Sequence, residues 1–597
     1  RSFHVTGVQT CALPIWALLP LLILSVGGFL LLTLASLFRR LPEALPQAWT
    51  VVTGLAVLVA TVPMWASVQA DGPRSFLGGM VAVDGSTVLV TATLAVAVVA
   101  TALLARPYLR REDLPGVELY VLLLLSAAGG VVMASADDLI VLFLGLEILS
   151  IAVYVLAALH LRRIESQEAA LKYFVLGAFA SAFFLYGVAL VYGATGSTRL
   201  ARISVHLAST TLVEDGMLLA GIALLLVGLA FKVAAVPFHA WTPDVYQGAP
   251  SPVVAWMAAG VKTAAFAAML RVLVVTLGTH ASDWRPAVAA LAAASVVVGA
   301  WVAVLQTDVK RMLAYSSIAH AGFILLGVQA ASDRGTAAVY VYLVVYTLLA
   351  TGSFAVVTTV GGRGDADHGL DAYRGLARRQ PVLAGAFTLL LLGQAGVPFT
   401  GGFVAKLGVL AAAVEGRTYW LAMVRWRQPR WRPSYTCASS SPCTSRTPEP
   451  TPSTAPRCPP VPGSSSGSPA WACWWSGSLR ASCWTSLPMP FRCWWVADRW
   501  FGGAHTDAPV RPSSTSDRPI ACPGRQAGQP VSRRRSARLV RFSARVRLPS
   551  QLAGGGGVRR PRGAAGLGLP GPREPAAPRA RDRSEERRVG KECRSRW

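Results

Sequence analysis

A succession of long apolar runs, about a dozen between residues 16 and 424, most constrains what this chain can fold into. Most runs are long enough to cross a hydrocarbon core of ~30 Å as a helix that rises ~1.5 Å per residue. Only 14% of the 597 residues are charged and the mean hydropathy is +0.47, so a soluble protein of this size could not bury the apolar side chains. The predicted fold class is an all-α polytopic membrane protein. The runs lie approximately at 16–37, 48–69, 82–105, 117–136, 138–160, 170–193, 216–240, 250–277, 286–305, 312–330, 336–360 and 382–414, and a further one begins near Tyr419.

The composition changes abruptly near Val424, from Leu, Val, Ala and Gly to Arg, Pro, Ser, Trp and Cys. A genuine disordered basic tail is one interpretation of residues 425–597. We favour a frameshift near 422–425, because a GC-rich gene read out of frame yields these residue types and almost no lysine. A frameshift predicts that another frame encodes two further apolar spans.

Both ends of the chain resemble translated sequencing adapters, and residues 1–15 lack the order of regions found in a signal peptide. We therefore exclude residues 1–15 and 425–597 from functional reasoning. All nine cysteines lie in these excluded parts, so they predict neither a disulfide framework nor a metal site. Most of the net charge of +26 also lies there, so it does not indicate a nucleic-acid partner.

Basic residues in the loops predict the orientation of the spans. Clusters follow the odd-numbered spans except span seven, whose loop has no Lys or Arg, whereas the loops after even-numbered spans hold sparser basic residues such as Arg74, Arg199 and Arg334. The positive-inside rule then puts the N-terminus outside and the odd-to-even loops in the cytoplasm. The clusters are Arg39–Arg40, Arg106 with Arg110–Arg111, Arg162–Arg163, Lys310–Arg311, and Arg374 with Arg378–Arg379.

Four ionisable residues stand near the middle of apolar runs: Glu147, Lys232, Lys262 and Lys406. A charge at the centre of a bilayer costs about 2.5–3.5 kcal/mol on insertion scales, so four of them indicate a function. Lysine suits proton transfer, because removal from water favours its neutral form and a nearby carboxylate favours its charged form. We expect Glu147 to be the partner of Lys232. The alternative is that these charges only pair with one another and lock helices together.

Two spans carry helix-breaking residues beside a lysine. Pro237 follows Lys232 in span seven, and Pro398 precedes Lys406 in span twelve within "GVPFTGGFVAK". Proline removes a backbone donor, and broken helices at membrane depth occur where the backbone lines a cavity or an ion path. Two such spans, five apart in order, predict two internal repeats of the kind found in transporters.

Three further residues are candidate relay groups. His239 and His320 lie in or beside apolar runs, and histidine titrates near neutral pH. Lys172 lies nearer the end of its span. The alternatives are hydrogen-bonded core histidines and a lysine that extends to the membrane surface. Residues 16–424 contain no nucleotide-binding, haem or cysteine-cluster motif, so any energy must come from an ion gradient or a partner.

Three stretches, "FKVAAVPFHAWTPDVYQGAPSPVVAW", "DVKRMLAYSSIAHAG" and "GVPFTGGFVAKLGV", resemble the proton-pumping, antiporter-like membrane subunits of respiratory complex I. "TPDVYQGAPSPV" and Lys406 are most similar to the subunit N branch. The resemblance covers about 16–424. It implies a bundle of fourteen transmembrane helices, of which 12–13 are readable here, with two inverted five-helix repeats and broken helices seven and twelve. The implied organisation is N-terminal helices over 16–110 and a proton-translocating domain over 111–424.

The resemblance also implies a function in a bacterial inner membrane. Protons would pass by Glu147, Lys232, Lys262 and Lys406, while NADH, FMN, iron–sulfur clusters and quinone would bind partner subunits of the complex. This chain would then be a subunit of NADH:quinone oxidoreductase without a redox centre of its own. Two alternatives are a subunit of a multisubunit cation/proton antiporter and a membrane scaffold without proton transfer.

Overall fold

The computed structural model describes residues 15–38, 41–114, 116–209, 215–365 and 368–419. The excluded N-terminal extension up to residue 14, Arg39–Arg40 and the tail after residue 424 lie outside these ranges. Eleven helical segments of the described part are long and apolar enough to cross a membrane, which confirms the predicted all-α membrane fold. The long helices are α1 (Ile15–Leu37), α2 (Leu45–Asp71), α3 (Gly85–Glu112), α4 (Val117–Ser135), α5 (Leu139–Ala157), α6 (Ile164–Thr195), α8 (Gly216–Val233), α12 (Ala281–Val304), α13 (Val309–Ala330) and α14 (Asp333–Val360). The short ones are α7 (Leu200–Ser209), α9 (Trp241–Gly248), α10 (Ser251–Trp256), α11 (Lys262–Met269), α15 (Leu376–Arg379), α16 (Pro381–Ala395) and α17 (Gly401–Glu415).

The eighth span, Ser251–Thr276, is built from four helical pieces. The α-helical turns of α10 and α11 alternate with two π-helical segments, Met257–Val261 and Leu270–Thr276. The sequence predicts one uninterrupted helix here. Because π-helical segments are rare and are frequent at functional sites, the position of Lys262 directly after the first of them is informative.

Both predicted helix breaks are confirmed. In span seven, α8 ends at Val233 and α9 begins at Trp241. In span twelve, α16 ends at Ala395 and α17 begins at Gly401. The relation of the two halves as inverted repeats stays a prediction.

Side-chain caps begin several of the helices. The carboxylate of Asp84 accepts a hydrogen bond from the Thr87 amide at 2.8 Å at the start of α3. Asp308 caps α13 in the same way through the Arg311 amide, also at 2.8 Å. Such caps satisfy amide groups that have no partner inside the helix, and they set where each span starts.

Small residues allow neighbouring spans to approach closely. A Cβ atom on Gly145 of α5 would lie 2.7 Å from the backbone nitrogen of Met133 on α4. A Cβ on Gly299 of α12 would lie 2.9 Å from the Cα of Ala319 on α13. Close backbone packing of this kind stabilises helix pairs in membranes, where apolar lipid removes the hydrophobic driving force.

The loops that follow odd-numbered spans meet at one end of the bundle, which we call the basic end. Glu43 pairs with Arg110 at 2.8 Å, and Gln247 donates to Asp308 at 3.3 Å. The basic end carries Arg110, Arg111, Arg162, Arg163, Lys310 and Arg311.

The loops after even-numbered spans meet at the opposite end. Ser75 there donates to Asp137 at 3.0 Å. This end also holds an antiparallel hairpin that the sequence did not predict, β1 (Arg74–Phe76) and β2 (Val81–Val83), in the register Arg74 to Val83.

Candidate functional site

Lys232 lies in the last turn of α8, directly before the helix breaks. Its side chain is buried, and its ammonium nitrogen lies 5.3 Å and 5.5 Å from the ring centres of Tyr154 and Tyr173. That nitrogen has no hydrogen-bond partner among the residues that the structure describes. Attraction to two aromatic faces therefore holds the cation in place of fixed acceptors.

Glu147 lies on α5 and acts on Lys232 through space. The Glu147 carboxylate interacts electrostatically with the Lys232 ammonium, although no direct hydrogen bond joins them in the described part of the chain. One carboxylate oxygen of Glu147 is buried without a hydrogen-bond partner there. Tyr154 is two turns further along the same face of α5, so one helix presents both the opposite charge and an aromatic face to Lys232.

The protein itself satisfies the backbone groups that the break in span seven releases. Trp241 donates from its indole nitrogen to the Phe231 carbonyl at 3.1 Å, and the Val236 amide donates to the Ser295 hydroxyl at 2.8 Å. Backbone freed at membrane depth is tolerated only with such partners. The break therefore holds a defined shape beside Lys232.

Lys262 lies at the centre of the eighth span and is buried. Its ammonium donates to the Ser317 carbonyl at 3.0 Å and to the Ser317 hydroxyl. Tyr346 of α14 also donates to that hydroxyl, at 2.9 Å. Tyr246 of α9 faces Ser317 from the side of the first break. Lys262 is thus joined to α13 and α14 through one serine.

His320 lies one turn beyond Ser317 on α13. Its Nδ1 and the Tyr342 hydroxyl are hydrogen bonded at 2.7 Å, and its ring centre is 4.9 Å from that of Tyr346. His320 therefore lies among the polar groups that surround Ser317, as a relay group would.

Lys406 lies in α17, directly after the second break, and is completely buried. Its ammonium donates to the Gln394 carbonyl at the end of α16 and lies 5.4 Å from the centre of the Phe323 ring. The side chain passes over Gly396, where a Cβ would lie 2.7 Å from the Lys406 Cδ. Gly396 also has a φ of 79°, so glycine is required there for two reasons.

Gln394 connects the second break to α13. The Ser316 hydroxyl donates to the Gln394 side-chain oxygen at 3.2 Å, and the Gln394 amide donates to Ser353 at 2.7 Å. Ser316 and Ser317 are neighbours on α13, so this helix supplies the acceptor of Lys262 and contacts the acceptor of Lys406. Lys232, Lys262, His320 and Lys406 are buried, and half-buried Glu147 interacts with Lys232, while Ser317, Ser316 and Gln394 link Lys262 to Lys406. We call these five ionisable residues the buried series.

The two remaining candidates lie away from this series. The side chain of Lys172 is 42% exposed and pairs with Glu168 at 2.7 Å and with Asp244 at 2.9 Å. Arg311 pairs with Asp244 as well, at 2.7 Å. His239 lies in the first break, where its Nδ1 is buried without a hydrogen-bond partner in the described ranges.

A buried ionic cluster at the basic end was not predicted. The carboxylate of Asp365 is inaccessible to solvent and is contacted by Lys310 at 3.0 Å and His368 at 2.9 Å. Arg163, at 3.5 Å, and the Ser251 hydroxyl, at 2.9 Å, also contact the Asp365 carboxylate. Burial raises the pKa of Asp365, but Lys310 and His368 together hold the pKa of that carboxyl well below its usual range.

Lys310 corrects one detail of the orientation argument. The sequence predicts it to be one of the loop charges, whereas it lies in the first turn of α13 with no exposed surface. Besides Asp365 it contacts the Ala249 carbonyl, at 2.7 Å, between α9 and α10. Lys310 therefore ties the first broken span to α13.

A second ion pair closes the opposite end of the bundle. Arg271, in the second π-helical segment, pairs with Asp84 at 2.8 Å and donates to the Ala134 carbonyl at 2.7 Å. Burial raises the pKa of Asp84, but Arg271 and the cap hydrogen bonds at the start of α3 lower it further than burial raises it. The eighth span is thereby joined to α3 and α4.

Sequence reasoning missed the tyrosines at Lys232, the serine at Lys262 and the glutamine at Lys406. Tyr154 could have been found from its spacing to Glu147, and Ser317 from its place one turn before His320. Gln394 and Asp365 carried no signal in the sequence, because an uncharged polar residue in a span and an acid in a loop are both common.

The sequence is similar to that of known membrane proteins. The family model described as "NADH:quinone oxidoreductase/Mrp antiporter, TM" matches residues 136–427, which include Glu147 and the three buried lysines of the series. The NADH-quinone oxidoreductase subunit N of Trichlorobacter lovleyi is 40% identical over 408 residues, which are 68% of this chain and 82% of that protein.

Chains of solved membrane complexes share this fold. A chain of respiratory complex I from Thermus thermophilus with bound aureothin is 36% identical, with a TM-score of 0.61 over 72% of this chain and 91% of that chain. A chain of the Mrp complex from a Dietzia species is 23% identical, with a TM-score of 0.65 over 73% of this chain and 82% of that chain, which shows the fold alone. The chain therefore belongs to the NADH-quinone oxidoreductase subunit N family.

Proposed function

We propose that this chain moves protons across a membrane as a subunit of NADH-quinone oxidoreductase. Electron transfer from NADH to quinone takes place in partner subunits, which hold the FMN, iron–sulfur clusters and quinone. The observation that carries the proposal is the buried series from Glu147 to Lys406. Four ionisable groups at membrane depth cost free energy, and their arrangement beside two helix breaks is typical of an ion path.

Each member of the series has a role that follows from its contacts. Glu147 favours the protonated form of Lys232, so moving the carboxylate away releases that proton. Aromatic contacts lead from Lys232 through Tyr173 and Trp241 to Tyr246, which faces Ser317, the acceptor of Lys262. His320 and Ser316 lead onward, and Lys406 passes the proton to the far side of the membrane.

The direction follows from the charge of the loops. The basic end faces the cytoplasm of a bacterial cell, and the N-terminus lies outside. Lys172 and Asp244 stand at the cytoplasmic end, where they supply protons to the first break. We assign the next step toward Lys232 to His239, because it lies in the break that directly follows the helix of Lys232.

Lys262→Ala in the assembled complex, reconstituted into vesicles, tests this function. We expect normal assembly, strongly reduced proton pumping and a lower coupled NADH–quinone activity, measured with a pH-sensitive dye and by NADH oxidation. Arg374→Gln, which removes an exposed partner of Asp371 in the loop after α14, is the matched control and should pump normally. Full pumping by Lys262→Ala would favour the scaffold alternative. Recovery of the chain with cation-antiporter subunits instead of NADH-oxidising ones would overturn the assignment to the oxidoreductase.

A further inference from the structure

A cavity of about 580 Å³ lies at the basic end, between the last turns of α1 and α3 and the first turns of α2 and α4. It is separate from the buried series of lysines. Phe38, Leu41, Leu109 and Leu114 form apolar walls. Arg106 and Tyr120 also line it and provide polar donors.

Each of these two side chains has a donor atom without an acceptor in the described part of the chain. Tyr120 is only 2% exposed, and its hydroxyl has no hydrogen-bond partner in the described part of the chain. Arg106 donates from Nη1 to Gln47 at 3.3 Å, while its Nε is buried without a partner among the same residues. Buried donors are costly when unsatisfied, so these two point to an acceptor supplied from outside the chain.

The first turns of two helices also favour an acceptor ligand in the cavity. Helix α2 begins beside Pro46 and α4 begins at Val117, and neither start has a side-chain cap. Both residues line the cavity. Helix N-termini carry partial positive charge, which favours a negatively charged oxygen ligand. The start of α2 adds little more, because Pro46 has no N–H and the Leu45 amide donates to the Pro42 carbonyl, whereas α4 also offers its first amide groups.

The acids at the rim of the cavity are already engaged or exposed. Glu43 pairs with Arg110 at 2.8 Å. Asp113 has a side chain that is 94% exposed and lies 3.9 Å from Arg162. Arg106, by contrast, forms no ion pair with an acidic residue in the described part of the chain, so its charge can pair with a ligand.

We propose that this cavity binds the phosphate group of an anionic phospholipid. The phosphate accepts from Arg106 and Tyr120, and an acyl chain lies against Phe38 and Leu41. The membrane position favours a lipid over free phosphate, because the cavity is at the ends of four apolar spans, at the depth of lipid headgroups. Leu37 and Phe38 are 71% and 57% exposed beside it, which provides an apolar path toward the acyl region.

The test is a lipid-binding titration of the delipidated complex with phosphatidylglycerol and with phosphatidylcholine, read out by native mass spectrometry. We expect selective binding of phosphatidylglycerol, weakened about five-fold or more by Arg106→Gln, since one cation near a membrane surface contributes roughly that factor. Tyr120→Phe removes only a hydroxyl without a partner, so it should fold normally and still weaken binding. Arg74→Gln, an exposed residue at the opposite end, is the control and should bind as the unmodified chain does.

Three results would overturn the proposal. Equal binding of both lipids would remove the preference for an anionic headgroup. Unchanged phosphatidylglycerol binding in both cavity variants would place the lipid elsewhere. Displacement of bound lipid by millimolar inorganic phosphate would make the site one for free phosphate.

Discussion

Two buried lysines of this chain are held in opposite ways. Lys310 contacts Asp365 at 3.0 Å and a backbone carbonyl at 2.7 Å, so its proton is fixed by acceptors. Lys232 contacts the faces of two tyrosine rings and interacts electrostatically with Glu147 without a direct hydrogen bond. A cation without fixed acceptors is sensitive to the position of one carboxylate, which is what a controllable proton carrier requires.

The first residue-scale prediction is that Lys232→Arg preserves assembly but abolishes pumping. Arginine keeps a cation at this position and does not release its proton at any accessible pH. Pumping in vesicles and the amount of assembled complex are the two measurements. Arg334→Lys is the matched control, because this exposed partner of Glu415 needs only its charge. Normal pumping by Lys232→Arg would make the lysine a fixed counter-charge for Glu147.

At this scale the sequence predicts charges better than it predicts their partners. Glu147, Lys232, Lys262 and Lys406 could be identified because a charge in an apolar run is costly. The residues that contact them were harder to identify, because a tyrosine, serine or glutamine in a span costs less and is less unusual. The importance of Ser317 and Gln394 arises only from the helix that packs opposite them.

Helix breaks were predictable where residue chemistry causes them. Pro237 lacks an amide and crowds the preceding turn, and α8 ends four residues earlier, at Val233. Gly396 adopts a φ that other residues disfavour, and α16 ends immediately before it. The π-helical segments around Lys262 contain no proline, so their hydrogen-bond pattern depends on packing that the sequence does not display.

The element-scale prediction is that Asp365→Asn loosens the loop after α14 from α13. Removing the carboxylate leaves Lys310 buried without its counter-charge, which costs about 3–5 kcal/mol in comparable pairs. A lower thermal unfolding temperature of the complex would measure this. Asp371→Asn, whose exposed ion pair with Arg374 is worth at most about 1 kcal/mol, is the control in the same loop.

The same pair predicts a pH dependence with a definite sign. The pKa of Asp365 is lowered in the fold, so its stabilisation is complete above the unfolded value of about 3.9 and is lost only as the pH falls through the folded value. The difference in unfolding temperature between the unmodified chain and Asp365→Asn should therefore stay constant from pH 5 to pH 8. A difference that shrinks across that window would show that Asp365 is not held as a carboxylate.

On the scale of the whole molecule, α13 links the two broken spans. Lys310 at its start contacts the segment after α9, Ser317 accepts from Lys262, and Ser316 donates to Gln394, the acceptor of Lys406. The order of the spans was predictable from apolar runs, and their alternation agrees with loops that meet at two opposite ends. The central place of α13 was not, because an almost fully buried helix has no polar face to distinguish it.

We predict that Lys262 and Ser317 belong to one path for protons. If Ser317 acts only by receiving a proton from Lys262, then Ser317→Ala lowers pumping alone but adds nothing to Lys262→Ala. Residues that act as a unit are non-additive in this way, whereas independent supports of the fold add their losses. The measurement is a double-mutant cycle on pumping rate per assembled complex, with Ser36→Ala on the exposed end of α1 as the control for the substitution. A double variant that is clearly slower than Lys262→Ala would mean that protons reach α13 by a second route. Equal rates would place Ser317 between Lys262 and the groups that lead to Lys406.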